Sequence, residues 1–340
     1  MQLLSAQDVQ TLARRLGVRP LLRQITEALA EDFARCVQLP GPAPCVLPAP
    51  PGEIALRPWS DGHYFGFKYE AHRPDNVKRG RPNRSSLGGL GLVETGELLL
   101  LADMTLLSAL RTAATAALGA RLLARPESRA LALLGTGAQS EFLVLALLDV
   151  LPLREVRYFD PDLHAMMKFA RNLEDAVCCL EPCGNVAETL RGADMVVAAT
   201  SAPQKLRLLE AELVPAGVHI HALADGDLPQ AGLDPALLQR CRVAVDVQRD
   251  GDGTAIGLQA LLRDGAVLRQ HRRDTTLLVS TGVGLQDFSV LRAAHALADS
   301  LQLGTPLQFM AEPEDPKDLY RYLIRQETGP NALPLRHAGP

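Results

Sequence analysis

A glycine-rich turn lies where a short apolar run passes directly into an amphipathic helix, within residues 129–148. The turn carries Gly135 and Gly137, and Ser140 takes the third small-residue position. Gly135 permits a tight turn, Gly137 lets the backbone approach a pyrophosphate, and Ser140 lets the helix pack closely against its strand. The free N–H groups at the start of the helix, near Ala138, would bind the phosphates. The stretch therefore predicts a dinucleotide-binding βα unit.

A carboxylate follows at a suitable distance for the same ligand. Asp160 ends the next apolar stretch, at about the place where an acidic residue accepts hydrogen bonds from an adenosine ribose. Alternatively, Asp160-Pro161-Asp162 forms a turn that starts a helix, because Asp and Pro both favour helix starts. The strand before Asp160 and the glycines upstream favour the ribose role. Because a carboxylate there would repel a 2′-phosphate, we expect NAD(H) rather than NADP(H).

Two cations and a hydroxyl lie outside this unit. Lys68 falls in the second of two strands predicted within residues 53–70, where a lysine usually faces solvent. Arg111 and Thr112 lie in the first half of an alanine-rich helix predicted over residues 105–121. The pattern alone gives Lys68 no strong claim to a ligand-binding role.

The elements that position these residues differ between the two parts of the chain. Ser5 and Asp8 have the spacing of a capping box, which predicts a first helix, and a second is predicted from Pro20 to Cys36. Residues 40–52 contain six prolines and predict an extended loop. Further strands at 53–70, 87–93 and 98–102 predict a small antiparallel sheet.

From residue 129 onward, strands and helices alternate. Strands are predicted at 129–134, 155–159, 194–199, 218–223, 243–247 and 277–280. This alternation predicts an α/β fold with a doubly wound, parallel sheet of the Rossmann type. Ligands meet the carboxyl ends of such strands, which places Thr200, Ser201, Asp225 and Asp227 on the functional edge of the sheet.

Composition excludes some classes of function. Hydrophobic residues make up 47% of the 340-residue chain and charged residues 22%, as in soluble globular proteins. A net charge of −4 and a pI near 6.1 give no electrostatic case for binding nucleic acid. No apolar run approaches the roughly 18 residues of a membrane span. The six cysteines show no paired metal spacing and the N-terminus lacks a signal peptide pattern, so we expect a cytoplasmic protein without a metal.

Five blocks together resemble the ornithine cyclodeaminase and μ-crystallin family over most of the chain. They are FKYEAHRPDN from Phe67, DMTLLSALRTAA from Asp103, GTGAQSEF from Gly135, GVGLQDFSVLR from Gly282 and EDPKDLY from Glu314. The interval between the second and third blocks is specific to the family. The last two blocks resemble its bacterial cyclodeaminase branch in particular.

The resemblance implies two domains and a homodimer. Residues 1–118 with 303–340 would form a substrate-binding and dimerisation domain, and residues 119–302 an NAD-binding Rossmann domain. A lysine like Lys68 and an arginine like Arg111 hold the α-carboxylate of an amino or imino acid beside the nicotinamide. The implied cofactor-binding residues are Asn83, Thr112, Gly135, Gly137, Ala138, Gln139, Asp160, Thr200, Ser201 and Ser280.

The implied chemistry is hydride transfer between the Cα of an amino acid and the nicotinamide ring, a step that the cofactor carries. Cyclodeamination, ketimine reduction and amino acid dehydrogenation remain open as net reactions. In the family an aspartate after the fifth parallel strand shuttles the proton. Aligning the proline of Ala224-Asp-Gly-Asp-Leu-Pro makes Asp227 that residue, whereas an ungapped alignment puts Gly226 there, beside Asp225 and Asp227. An acidic turn without a proton role is the other alternative.

Two departures from the family concern the substrate. Ala55 stands where the cyclodeaminase branch typically has the glutamate that meets a substrate amine, and residues 41–45 offer no counterpart of its upstream carboxylate-binding arginine. Arg57, two residues further along the strand, is the candidate replacement. These changes favour a neutral or acidic substrate side chain over ornithine. The alternatives are a true ornithine cyclodeaminase, which forms proline and ammonia, and a non-catalytic cofactor-binding protein like μ-crystallin.

Overall fold

The computed structural model of the chain describes residues 1–35, 42–176, 179–199, 209–224, 233–249 and 252–324. These residues form two β-sheets with helices packed against them. One large apolar cluster contains side chains from both sheets, among them Leu100 of the first and Leu278 of the second. The two sheets therefore share part of their core.

The first sheet has seven strands and is mostly antiparallel. Its strands are β1 (Gln2–Leu4), β2 (Cys45–Ala49), β3 (Gly52–Ser60), β4 (Tyr64–His72), β5 (Arg84–Leu92), β6 (Leu98–Asp103) and β15 (Thr305–Pro306). Their order across the sheet is β15-β1-β6-β5-β4-β3-β2, and only the β1–β6 pair is parallel. Arg57 pairs with Lys68 and Ala55 with Glu70, so these four side chains share one face.

The prediction of an extended loop over residues 40–52 is wrong for its described part. Residues 45–49 form β2, which pairs only with β3 at the edge of the sheet. Proline lacks an N–H donor, and an edge strand tolerates this because its outer side makes no ladder hydrogen bonds. Pro48 can therefore lie in a strand even though prolines dominate the segment.

Three helices accompany this sheet: α1 (Ala6–Leu16) and α3 (Met104–Leu123) pack on its strands, and α2 (Val18–Arg35) packs on α1 and α3. The Ser5 side chain accepts a hydrogen bond from the Asp8 N–H at 3.2 Å and the Ser5 N–H donates to the Asp8 carboxylate at 2.8 Å, which confirms the capping box. Helix α3 is long and apolar enough to cross a membrane by length and composition, but most of its residues are buried within the protein, against α2 and its neighbours.

The second sheet has eight strands, all parallel. They are β7 (Ala130–Leu134), β8 (Glu155–Phe159), β9 (Cys179–Pro182), β10 (Met195–Ala198), β11 (His219–Leu223), β12 (Cys241–Val245), β13 (Ile256–Gly257) and β14 (Thr275–Ser280). The order β13-β12-β14-β11-β10-β7-β8-β9 reverses direction beside β7, as in a doubly wound sheet. The predicted α/β fold with a Rossmann-type sheet is confirmed. All the strands present their carboxyl ends at one edge.

The helices that follow these strands are short. They are α4 (Ser140–Leu147), α5 (Leu163–Leu173), α6 (Val186–Leu190), α7 (Pro235–Arg240) and α8 (Leu258–Arg263). A longer helix, α9 (Gly284–Ser300), follows β14 and packs against the face of the first sheet, and α10 (Leu319–Ile324) ends the described chain. Sequence reasoning grouped α9 with the Rossmann-type unit, whereas its Phe288 and Leu291 contact Gly66 and Gly88 of the first sheet. The predicted domain boundaries stay a prediction.

Candidate functional site

The glycine-rich turn joins β7 to α4 at the carboxyl edge of the second sheet. Gly135 adopts φ +99°, which L side chains rarely adopt, and its N–H donates to the Phe159 carbonyl at 2.9 Å. Gly137 is exposed, and the space that a Cβ would enter there is empty. Gln139, the N-cap of α4, makes no side-chain hydrogen bond to the helix. The turn thus presents accessible backbone N–H groups, which fit a pyrophosphate.

The ends of β7 and β8 add polar groups to this turn. The half-buried Asp160 carboxylate accepts hydrogen bonds from the Thr136 N–H at 2.8 Å and from the Asp162 N–H at 2.9 Å. Asp160 does stabilise the turn before α5 by accepting from Asp162, but the N-cap of α5 is Asp162 itself. The buried Thr136 hydroxyl lacks a hydrogen-bond partner among the described residues. A carboxylate and a free hydroxyl here suit a ribose, and the ribose role of Asp160 stays a prediction.

Lys168 of α5 is a residue beside the glycine turn that sequence reasoning missed. Its ammonium donates to the Gly137 carbonyl at 3.0 Å and pairs with Glu141 at 2.8 Å. Burial alone would raise the pKa of Glu141, but hydrogen bonds from Lys168 and Asn172 lower it below its ordinary value. The position of Lys168 in the middle of an amphipathic helix carried no signal, because helix α5 and the turn meet only in the fold.

Two cations meet on the first sheet, on the face that carries Arg57, Lys68 and Glu70. We call this the inner face. Lys68 of β4 is only 2% exposed, so the expectation of a solvent-facing lysine is wrong. Its Nζ lies 3.6 Å from the Asp287 Oδ1, and the Arg111 Nη2 of α3 lies 3.2 Å from the same oxygen. Neither Asp287 oxygen has a hydrogen-bond partner of good geometry among the described residues. Lys68 and Arg111 therefore converge on a single point, as the binding of one carboxylate requires.

Glu70 holds a second group of cations on the same face. Its Oε2 lies 2.8 Å from the Lys68 Nζ, while its Oε1 lies 2.8 Å from Arg84 and 3.5 Å from Arg57. Burial alone would raise the pKa of Glu70, but the charges of Lys68, Arg84 and Arg57 hold it well below its usual range. Sequence reasoning singled out Arg57 and Lys68 but missed Glu70, the residue that joins them.

A buried aspartate fixes the loop after β14 beside Arg111. The Asp246 carboxylate accepts hydrogen bonds from the Ser280 hydroxyl at 3.0 Å, the Thr281 N–H at 2.7 Å and the Gly282 N–H at 3.0 Å. Burial raises the pKa of Asp246, although these hydrogen bonds oppose the rise. Gly282 adopts φ +77°, and a Cβ there would lie 3.1 Å from the Arg111 Nη1. The loop therefore packs directly on the guanidinium. Asp246 holds that loop in place, a role that its position after an apolar run in the sequence did not reveal.

The remaining predicted residues are placed as follows. The buried Thr112 hydroxyl donates to the Ser108 carbonyl at 2.9 Å, within its own helix. Asn83 precedes β5, and its carbonyl accepts a hydrogen bond from the Arg73 N–H at 2.6 Å. The Ser280 hydroxyl donates to Asp246 at 3.0 Å, and its predicted contact with the cofactor stays a prediction. Four residues, Thr200, Ser201, Asp225 and Asp227, lie outside the described residues.

Strand β11 ends beside the same loop. The Ala224 N–H, just after β11, donates to the Ser280 carbonyl at 2.9 Å. Ala224, the last described residue before the gap, therefore lies beside the loop that Asp246 holds. Within the described ranges, no three His, Cys, Asp or Glu side chains are grouped so that they could bind a metal ion.

Comparison with known proteins places this arrangement in a family. Residues 6–301 match the model of the ornithine cyclodeaminase/mu-crystallin family. The chain belongs to that family. It is 35% identical to the ornithine cyclodeaminase of Agrobacterium tumefaciens over 341 residues, which cover 95% of this chain and 94% of the relative. It is 30% identical to the alanine dehydrogenase of Archaeoglobus fulgidus over 281 residues, 76% of this chain and 84% of that one.

Solved structures agree with the sequence comparison. A structure describing recognition of L-lysine, L-ornithine and L-2,4-diaminobutyric acid by lysine cyclodeaminase matches with a TM-score of 0.85 and 28% identity, over 94% of this chain and 98% of that one. An archaeal alanine dehydrogenase dimer with bound NAD has the same fold, with a TM-score of 0.79 at 24% identity, over 91% and 99% of the two chains. The predicted family is confirmed, and so is the prediction that the chain is an enzyme of it.

Proposed function

We propose that this protein is an NAD(H)-dependent enzyme that transfers a hydride at the Cα of an amino acid or its imine, with a neutral or acidic side chain on the substrate. The observation that carries the proposal is the convergence of Lys68 and Arg111 on one Asp287 oxygen, at 3.6 and 3.2 Å. A buried pair of cations at this point suits the α-carboxylate that every amino acid and 2-imino acid carries. Relatives named as cyclodeaminases and dehydrogenases act on substrates of this class.

The glycine turn and Asp160 are the residues proposed to hold NAD(H). The exposed N–H groups around Gly137, Ala138 and Gln139 would take the pyrophosphate, and Asp160 the adenosine ribose. When bound, the nicotinamide supplies hydride chemistry, which removes two electrons and a hydrogen from Cα or returns them to the imine carbon. The protein residues supply binding, orientation and a proton.

The chain's own groups divide that work. Lys68 and Arg111 hold the carboxylate, and the hydrogen bonds that Asp246 accepts from Ser280, Thr281 and Gly282 fix the loop against Arg111. Oxidation of an amine to an imine also releases a proton from nitrogen, and reduction consumes one. We assign that proton to Asp227, with Asp225 as the alternative, because the family's proton-shuttling aspartate follows the fifth parallel strand and Ala224, just after β11, hydrogen-bonds to Ser280 of this loop.

A substrate panel tests the proposal. The purified protein is incubated with NAD and individual L-amino acids, and with NADH and cyclic or linear imines, while absorbance reports the cofactor and chromatography the product. Turnover of neutral or acidic substrates supports the proposal. Efficient conversion of ornithine to proline would instead establish an ornithine cyclodeaminase. Binding of NADH, seen by a change in its fluorescence, without turnover of any substrate would indicate a cofactor-binding protein.

The protein is also proposed to be a homodimer. On the outer face of the first sheet, Leu56, Tyr69 and Leu87 lie side by side in register and are 43%, 36% and 46% exposed. Tyr320 and Leu323, in the last described helix, are also exposed, at 73% and 81%. The row of apolar side chains on the sheet is of the kind that marks an interaction face. A second copy of the chain is proposed to cover this row, and the archaeal relative described as a dimer supports the proposal of a dimer.

Light scattering tests the oligomeric state directly. The wild-type protein is expected to have twice the mass of one chain, and Leu87→Glu is expected to shift it to the monomer because a buried carboxylate is costly to desolvate. A glutamate at Val77, which is 66% exposed and lies outside the sheet, is the control. A wild-type monomer would contradict the proposal.

A further inference from the structure

The charged side chains on the inner face of the first sheet form two groups. In the first, Arg111 and Lys68 meet at the Asp287 carboxylate. In the second, Arg57 and Arg84 meet at the Glu70 Oε1. Lys68 belongs to both groups, since its Nζ also contacts the other oxygen of Glu70 at 2.8 Å. Cations and carboxylates therefore alternate across the site, in the order Arg111, Asp287, Lys68, Glu70 and Arg57.

We infer that the substrate carries a second carboxylate at the end of its side chain and that Arg57 binds it, so that the preferred substrates are 2-amino dicarboxylic acids and their imines. This inference rests on the proposed function, in which Lys68 and Arg111 hold the α-carboxylate. The two groups of cations match a substrate that is anionic at both ends.

Arg57 has donors to offer to a substrate. It lies 3.5 Å from the Glu70 Oε1 without a hydrogen bond of acceptable geometry, whereas Arg84 donates to the same oxygen at 2.8 Å. The Arg57 side chain is 19% exposed, so its guanidinium is partly shielded from water yet accessible. A guanidinium in this state can bind a carboxylate through two parallel hydrogen bonds.

The position of Arg57 separates its role from that of the α-carboxylate pair. Its ion pair is with Glu70, in the group that does not contain Asp287 or Arg111. Lys68 stands between the two groups, directly opposite Arg57 in the strand register. A substrate held by Lys68 and Arg111 at one end would therefore extend its side chain past Lys68 toward Arg57.

The same geometry disfavours a side-chain amine. Glu70 lies directly opposite Ala55, the position of the missing glutamate, in the strand register. However, Glu70 already faces the charges of Lys68, Arg84 and Arg57, and the depressed pKa that they cause keeps it ionised and paired. An ammonium group would meet these three cations, while a carboxylate would be attracted by them.

Pairs of amino acids that differ only at the side-chain terminus test the inference. Oxidation of L-glutamate is compared with that of L-glutamine, and L-aspartate with L-asparagine, using the wild-type protein and NAD. In each case the amino acid loses a hydride from Cα and a proton from nitrogen, and NAD becomes NADH, which is measured by its absorbance. The acid is expected to exceed its amide in kcat/KM by about tenfold or more, as for one charge-assisted contact.

A substitution then assigns that preference to Arg57. Arg57→Met is expected to lower kcat/KM for the acids by roughly 10- to 150-fold and to leave the amides nearly unchanged. Arg57→Lys, which keeps the charge, should retain part of the preference, and Arg79→Met at an exposed position outside both groups is the matched control. Thermal unfolding and NADH binding establish that each variant is folded.

The outcomes separate the inference from the function on which it rests. Amides or other neutral amino acids oxidised as well as the acids would overturn the inference and leave the proposed function intact. An equal loss for acids and amides in Arg57→Met would also overturn it, since Arg57 would then act on the shared α-carboxylate. Failure of the wild-type protein to oxidise any amino acid or reduce any imine would overturn both.

Discussion

Replacement of Lys68 by methionine should weaken substrate binding and spare cofactor binding. Methionine keeps most of the length and apolar stem of lysine but removes the ammonium that contacts Glu70 at 2.8 Å and Asp287 at 3.6 Å. A charge-assisted hydrogen bond of this kind contributes about 1.5–3 kcal/mol. At 1.36 kcal/mol per factor of ten, kcat/KM should fall by roughly 10- to 150-fold, mainly through KM.

The structure also sets the expected loss of stability. Removal of one partner from a buried ion pair costs about 3–5 kcal/mol when the other charge is left alone. Here Glu70 keeps Arg84 and Arg57, and Asp287 keeps Arg111, so neither carboxylate loses all its cations. We therefore expect Lys68→Met to lower the free energy of unfolding by less than about 3 kcal/mol and the variant to remain folded.

Three measurements read this out: KM and kcat for the best substrate, the dissociation constant of NADH from fluorescence, and denaturant unfolding. Lys78→Met is the matched control, because Lys78 forms a similar ion pair with Asp75 on the surface, where its side chain is 81% exposed. The control should match the wild type in all three. Wild-type KM and kcat in Lys68→Met would refute the placement of the carboxylate site, and loss of NADH binding would show that Lys68 acts on the cofactor instead.

Three further predictions concern the cofactor, the substrate and pH. NADH should bind about tenfold or more tightly than NADPH, and Asp160→Ala should reduce this preference; tighter NADPH binding in fluorescence titrations would contradict it. Conversion of ornithine to proline, followed by product analysis, should be weak in the wild type and rise in Ala55→Glu, whereas efficient proline formation by the wild type would overturn the substrate assignment. Burial lowers the pKa of His221 to about 3 and that of His219 well below its usual range, so the unfolded chain binds protons that the folded chain excludes. The free energy of unfolding, measured in denaturant, should therefore fall as pH drops from about 6.5 toward 3, by up to about 1.4 kcal/mol per pH unit for each histidine, and His221→Leu should reduce this slope.

Local patterns predicted the parts of the fold that local chemistry determines. The capping box of Ser5 and Asp8, the glycine turn at Gly135 and the alternating strands of the second sheet follow from short-range rules, and the structure contains all of them. The strand at residues 45–49 was missed because Pro48 and the prolines that flank it argue against a strand, and Pro48 is tolerable because the strand lies at the edge of the sheet.

The candidate site was harder to predict because its contacts join distant parts of the chain. The strand pattern alone predicted a solvent-facing Lys68, because nothing near it in the sequence indicates that Asp287 of α9 will contact it; only the family resemblance placed it at the substrate. Glu70 and Asp246 carry no motif, and their roles come from the partners that the two sheets bring to them. The identity of the proton shuttle, Asp227 or Asp225, stays a prediction because both lie outside the described residues.

The central claim is hydride transfer at the substrate Cα, and isotope transfer tests it most directly. NADH carrying deuterium at the transferable position of nicotinamide C4 is incubated with the protein, ammonia and the 2-oxo acid of the best substrate, and the amino acid product is analysed by mass spectrometry. We predict one deuterium per product molecule, bonded to Cα. An amino acid product that contains no deuterium, or oxidation of NADH without formation of an amino acid, would contradict the claim.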